Sequence, residues 1–168
     1  MDSKREYIAK SQNDKVVWVD TINSHAATHI ADTPKLKELA AEVLSQTILS
    51  QDYHQLHKDL GRIVGTCDLI ANQPGDEIVY AKRLNRNEYT VFNKTRPPQP
   101  SSLVTVAVEK RDDDTYELVS AWVGPSDSPS FPGTERETAE SKEFWSNHSL
   151  AWGRQEVQPE TLTTICPW

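Results

Sequence analysis

The sequence predicts an α+β fold: N-terminal helices packed on a small antiparallel β-sheet (a meander), followed by a C-terminal helix and tail. Three observations lead there. Thr33-Pro34 precedes Leu36, Leu39, Ala40, Val43 and Leu44, apolar residues at helical spacing behind a helix-start signal. Val104, Val106 and Val108 alternate before Asp112-Asp113-Asp114, and Val119, Ala121 and Val123 alternate after it, the pattern of two strands joined by a turn. Turn residues at Asn72–Asp76 and Asn85–Asn87 bracket further runs rich in β-branched and aromatic residues.

Taken in order, residues 1–14 are polar and are expected as a loose N-terminal tail of one domain spanning 1–168. Lys15 to Ile22 (KVVWVDTI) reads as a short strand, being β-branched and aromatic. The helix opened by Thr33-Pro34 is expected to end near Thr47. Leu49 to Leu60 is expected as a second helix, with Gly61 as its C-cap. Arg62 to Ile70 reads as a strand or buried turn, bent at Gly65. Glu77–Leu84 and Glu88–Asn93 form a hairpin about Asn85-Arg86-Asn87. Pro97, Pro98 and Pro100 then impose an extended loop before the strands Ser102–Arg111 and Thr115–Val123. Glu137 to Asn147 is a short helix bearing Phe144 and Trp145.

Composition narrows the function. A chain of 168 residues can bury about two-thirds of its unfolded surface. No apolar run reaches bilayer length, and the charged N-terminus lacks a secretory apolar segment, so a cytoplasmic protein is expected. The net charge of −7 argues against non-specific DNA or membrane attachment. Neither DNA nor a membrane is therefore expected as a partner. Cys67 and Cys166 lack CxxC spacing and read as reduced thiols. No cofactor is expected.

The chemistry-bearing residues are few. His25 and His29 form HxxxH between a strand end and a capped helix, and His54 and His57 form HxxH on the expected second helix. Imidazole is the side chain suited to proton transfer near neutral pH. Lys82, Arg83 and Arg86 cluster at the hairpin and suit a phosphate or a developing phosphorane. A hydroxyl from Ser120 or Thr105 completes the set needed for metal-free RNA cleavage, and Tyr89, Phe92 and Trp122 suit base stacking. The bland reading of each is a helix link for His25, solvated charges for the cations, a plain sheet position for Ser120 and a packed ring for His148.

The order of a strand, a histidine-bearing segment, helices, then a sheet with YAKR (80–83), a Phe92-bearing hairpin partner and a last strand ending VSAWVG (119–124) resembles the RelE/barnase-like ribonuclease toxins, the BECR group. The resemblance covers about residues 16–124. It implies RNA cleavage without metal, with His25 or His29 as the early histidine, Lys82 or Arg83 as the strand cation and Ser120 as the late hydroxyl. Arg86, Tyr89 and Trp122 would then bind substrate. The expectation is thus a metal-independent ribonuclease-like phosphodiesterase with RNA as partner. Two alternatives stay open: an acidic, non-catalytic protein-binding module of the immunity type, with a toxin-like protein as partner, and a metal-dependent hydrolase using the histidine pairs.

Overall fold

The computed structural model describes residues 4–22, 34–125, 128–153 and 155–168. Its strands are β1 (Arg5–Lys10), β2 (Val16–Asp20), β3 (Tyr53–Asp59), β4 (Gly65–Cys67), β5 (Leu69–Ala71), β6 (Ile78–Lys82), β7 (Tyr89–Asn93), β8 (Gln99–Ser101), β9 (Leu103–Lys110), β10 (Tyr116–Val123) and β11 (His148–Ala151). Two α-helices accompany them among the described residues, α1 (Pro34–Ser45) and α2 (Ser141–Asn147). The protein is therefore mostly sheet, which overturns the expected architecture of N-terminal helices on one small meander. The chain divides into two compact units, Met1–Gly65 with Ser101–Ser126 and Thr66–Pro100 with Asp127–Trp168.

In the first unit five strands lie in the order β1-β2-β10-β9-β3. β2 and β10 run parallel, and the other neighbours are antiparallel. α1 packs against β1, β9 and β10. Its Leu39, Ala40, Val43 and Leu44 are buried, as their spacing predicts. They meet Val17, Val19, Val104, Val106, Val108, Tyr116 and Leu118 in one apolar cluster. Fully burying such an aliphatic side chain contributes about 1.5–3 kcal/mol.

Three expectations fail here for identifiable reasons. Residues expected as a loose tail form β1, whose Ile8 and Ala9 reach the core. The expected second helix is β3. Leu49, Tyr53, Leu56 and Leu60 do recur at intervals of four, three and four. That helical rhythm is overridden because the edge of β9 takes the segment as a strand, from Tyr53↔Glu109 to Asp59↔Leu103. Finally, Val119, Ala121 and Val123 do not share a face. The register shifts between Leu118 and Ser120, so Tyr116 and Leu118 before the bulge point to the same core as Ala121 and Val123 after it.

In the second unit the order is β5-β11-β7-β6. The β6/β7 hairpin forms as the sequence predicts, from Ile78↔Asn93 to Lys82↔Tyr89, and β11 adds in parallel to β7. The hairpin and the β9/β10 pair thus belong to separate sheets, not to a single meander, and the proline-rich stretch 97–100 lies between them in sequence. Val79, Ala81 and Phe92 form a small core with Leu150, Trp152 and Val157. α2 buries Trp145 against a stacked Phe131 and an edge-on Phe144. The segment after β11 runs back along β6, bridging Arg83↔Val157 and Tyr80↔Thr163. The remaining two-stranded sheet pairs β4 with β8, the strands in which the chain passes between units. No helix of the described residues is long and apolar enough to cross a membrane.

Candidate functional site

The first unit's sheet has two faces with different chemistry. One meets α1. On the other, the strand registers align residues into cross-strand rows. His57 of β3, Thr105 of β9 and Trp122 of β10 make one row, and Gln55, Ala107 and Ser120 make the next. Adjacent strands are about 4.8 Å apart, so His57 and Trp122 flank Thr105 across roughly 10 Å.

Each side chain has a local reason to be there. The alternation of YHQLHKD along β3 sends His54, Leu56 and Lys58 to one side and Gln55 and His57 to the other. The bulge in β10 turns Ser120 and Trp122 onto the second face. The Trp122 indole N–H donates to the Pro125 carbonyl at 3.0 Å, fixing the ring, which stays partly exposed. The Thr105 hydroxyl is spent on the Gly124 carbonyl at 2.9 Å. Of the two hydroxyls that the sequence leaves open, Ser120 is the one with no hydrogen-bond partner among the described residues. His57 is exposed. Further along the same face Arg111 bridges Glu109 at 3.3 Å and the buried Glu117.

His54 and His57 do not make a ligand pair. A spacing of three brings two rings together on a helix but sends them to opposite faces of a strand. His54 sits edge-on to Tyr116, ring centroids 6.0 Å apart, and its Nε2 accepts hydrogen bonds from the Ser50 and Gln51 amides. Burial pushes its pKa down, which favours the neutral ring. Among the described residues no three His, Cys, Asp or Glu side chains cluster as metal ligands. His148 is packed as the bland reading expects: it stacks on Phe144 at 4.0 Å, and its Nδ1 lies 3.0 Å from the Phe144 carbonyl oxygen.

The remaining sequence candidates fall elsewhere. Lys82, Arg83, Arg86 and Tyr89 lie together at the end of the β6/β7 hairpin in the second unit. The Lys82 ammonium stands 5.2 Å from the Tyr89 ring centroid, and the Arg83 guanidinium 5.7 Å from that of Phe131. Burial, then the nearby Arg86 charge, push the Arg83 pKa down. Ser120 and Trp122 lie in the first unit, so the structure distributes the expected set over both units. His25 and His29 lie outside the described residues. The sequence names His57 as half of an HxxH pair on a helix, and that helical reading of 49–60 hid its period-two placement in this row.

No family model, no curated protein and no solved structure matches this chain.

Proposed function

We propose that this protein is a metal-independent phosphodiesterase acting on RNA from the second face of the five-stranded sheet. One observation carries the reading: an exposed histidine and a partly exposed, anchored tryptophan flank Thr105 in a single cross-strand row, with an uncommitted serine hydroxyl in the next.

The roles follow from the chemistry. Trp122 offers a flat apolar ring for one base, and Ser120 donates a hydrogen bond to a non-bridging phosphate oxygen. His57 takes the proton of the ribose 2′-hydroxyl as that oxygen attacks phosphorus. The bond from phosphorus to the 5′-oxygen breaks, and the leaving oxygen takes a proton from a second acid, for which His25 and His29 are the sequence candidates. The products are a 2′,3′-cyclic phosphate and a 5′-hydroxyl, with no redox change.

The test is incubation of labelled RNA with the purified protein in chelator, beside His57→Ala, Ser120→Ala and His25→Ala. Cleavage with cyclic-phosphate ends, reduced about 10²- to 10⁴-fold in His57→Ala, is expected. Intact RNA with the wild type, or unchanged cleavage in His57→Ala, overturns it. RNA retained but uncut moves the reading to a binding module.

A further inference from the structure

The outer edge of β6 is occupied, and its occupant fits poorly. After Gly153 the chain returns along β6 and satisfies that strand's outward backbone groups one by one. Tyr80 and Thr163 exchange two hydrogen bonds of 2.8 and 2.9 Å. The Gln158 amide donates to the Lys82 carbonyl at 2.8 Å, and the Leu84 amide donates to the Glu156 carbonyl at 3.1 Å. The Lys82 amide, however, finds the Thr161 hydroxyl at 2.8 Å in place of a backbone carbonyl. The reason is the 3₁₀ turn Pro159–Thr161, which lifts the segment off the edge between its two bridges.

Side chains hold the segment little better. Val157 reaches the small core, but Leu162 and Ile165 are exposed at 45% and 77%. Trp168 stands edge-on to Tyr80 at 5.5 Å between ring centroids, with its indole N–H buried and unpartnered. A segment held mainly by backbone bonds, with few buried apolar groups, opens at low cost.

Charge adds a second deficiency. Lys82, Arg83 and Arg86 line this end of β6, and among the described residues none of them has an ion pair, whereas Lys94 and Arg96 of the same unit pair with Glu77 and Asp76. The segment carries Glu156 and Glu160, and neither forms an ion pair with those cations. Gln158 instead gives both its side-chain bonds to the Arg83 and Arg86 carbonyls, at 3.1 and 3.0 Å. That clamp holds the turn closed and leaves its guanidinium groups without an ion pair among the described residues, the Glu88 charge acting on Arg83 only from a distance.

We propose that the β6 edge is a strand-docking site for an extended acidic peptide of a partner protein, and that residues 156–163 are the built-in occupant such a peptide displaces. A straight strand completes the ladder that the 3₁₀ turn interrupts, and acidic side chains at alternate positions pair with Lys82 and Arg86. The site requires no catalysis, so it stands or falls apart from the phosphodiesterase reading.

The experiment uses the full chain in two forms, wild type and Thr163→Pro. The substitution removes the amide that donates to the Tyr80 carbonyl. The probes are fluorescein-labelled peptides, (Thr-Glu)₄ and the neutral (Thr-Gln)₄. Expected are binding of the acidic peptide to Thr163→Pro at least tenfold tighter than to wild type, and weakening with added salt. Hydrogen-exchange protection at Tyr80 and Lys82 should be lost in Thr163→Pro alone and restored by the acidic peptide. Adding Arg86→Glu should cost a further tenfold. The proposal is overturned by absence of acidic-peptide binding once exchange shows the edge released, by equal binding of the neutral peptide, or by indifference to Arg86→Glu.

Discussion

The two units bury their interiors by different means. The first gathers fifteen buried residues, mostly aliphatic, between one helix and five strands. The second buries a smaller set in its sheet, Ile70, Val79, Ala81, Val91, Phe92 and Ala151, and adds ring contacts and polar networks to it. Its Asp76 shows the second strategy. The carboxylate is only 3% exposed, and it accepts hydrogen bonds from Arg96 at 2.9 Å, the Gln73 amide at 2.9 Å and Asn93 at 2.9 Å. Apolar burial is non-directional and tolerates imperfect geometry. A buried polar network is worth having only when every member is satisfied. The second unit should therefore be the more sensitive to single substitutions and to acid.

The largest expected effect is Trp145→Ala. This side chain is 2% exposed, stacks on Phe131 and donates its indole N–H to the Pro129 carbonyl at 2.9 Å. A loss of about 3–5 kcal/mol is expected, read by denaturant unfolding, with hydrogen exchange reporting deprotection confined to the second unit. Leu44→Ala, fully buried in the first unit, should cost about 2–5 kcal/mol. If both mutants lose the same stability and deprotect the same amides, the contrast between the units is broken.

Acid sharpens it. Arg96, then the Gln73 amide, hold the Asp76 pKa at about 2, against an ordinary value of 3.8. Because the folded value is depressed, Asp76 contributes stability above the ordinary value, and that stability is lost as pH falls from about 4 towards 2. Asp113 of the first unit is also held at about 2, by Arg5 and Thr115, but its side chain is 48% exposed. Solvent screens such a pair. Asp76→Asn should therefore flatten the acid limb of the melting temperature more than Asp113→Asn does. Equal slopes in the two mutants would remove the distinction.

Smaller effects close the series. Gly75 has φ of +89°, with open space where a Cβ would go, so Gly75→Ala tests backbone strain alone. About 1–2 kcal/mol is expected from the left-handed conformation. Lys37→Ala breaks a 3.1 Å pair with Glu6 in the first unit and should cost below about 1 kcal/mol.

The same contrast explains what was legible in the sequence. α1, the β6/β7 hairpin and the β9/β10 pair were readable because local chemistry specified each one: a Thr-Pro start, an Asn-Arg-Asn turn and a triple-Asp turn. Features that depend on distant partners were not. β3 carries a helical rhythm and becomes a strand because β9 is there to pair with it. The bulge before Ser120 leaves no mark in an alternating run, yet it decides which face Val119 and Trp122 take. For the candidate site, Ser120 and Trp122 were named from residue type, whereas His57 was named only as half of a helical HxxH pair, and its place beside them emerged once the strand replaced the helix. The split of the hairpin and β9/β10 into separate sheets lay beyond any local signal, since both pairs look alike until neighbours are assigned.

The pairing of β2 with β10 carries a consequence for synthesis. Val17 lies beside Tyr116, nearly a hundred residues later in the chain. As the chain leaves the ribosome, β1, β2, α1 and β3 emerge well before the two central strands that separate β2 from β3. Until β9 and β10 follow, Val17, Val19 and the apolar side of α1 have no sheet to bury against, and β3 has no partner. Closing that long loop comes late, and its entropy must be met before the core rewards it. The nascent first half is thus a sticky, half-built sheet, and shielding it during translation is the step on which yield of folded protein depends.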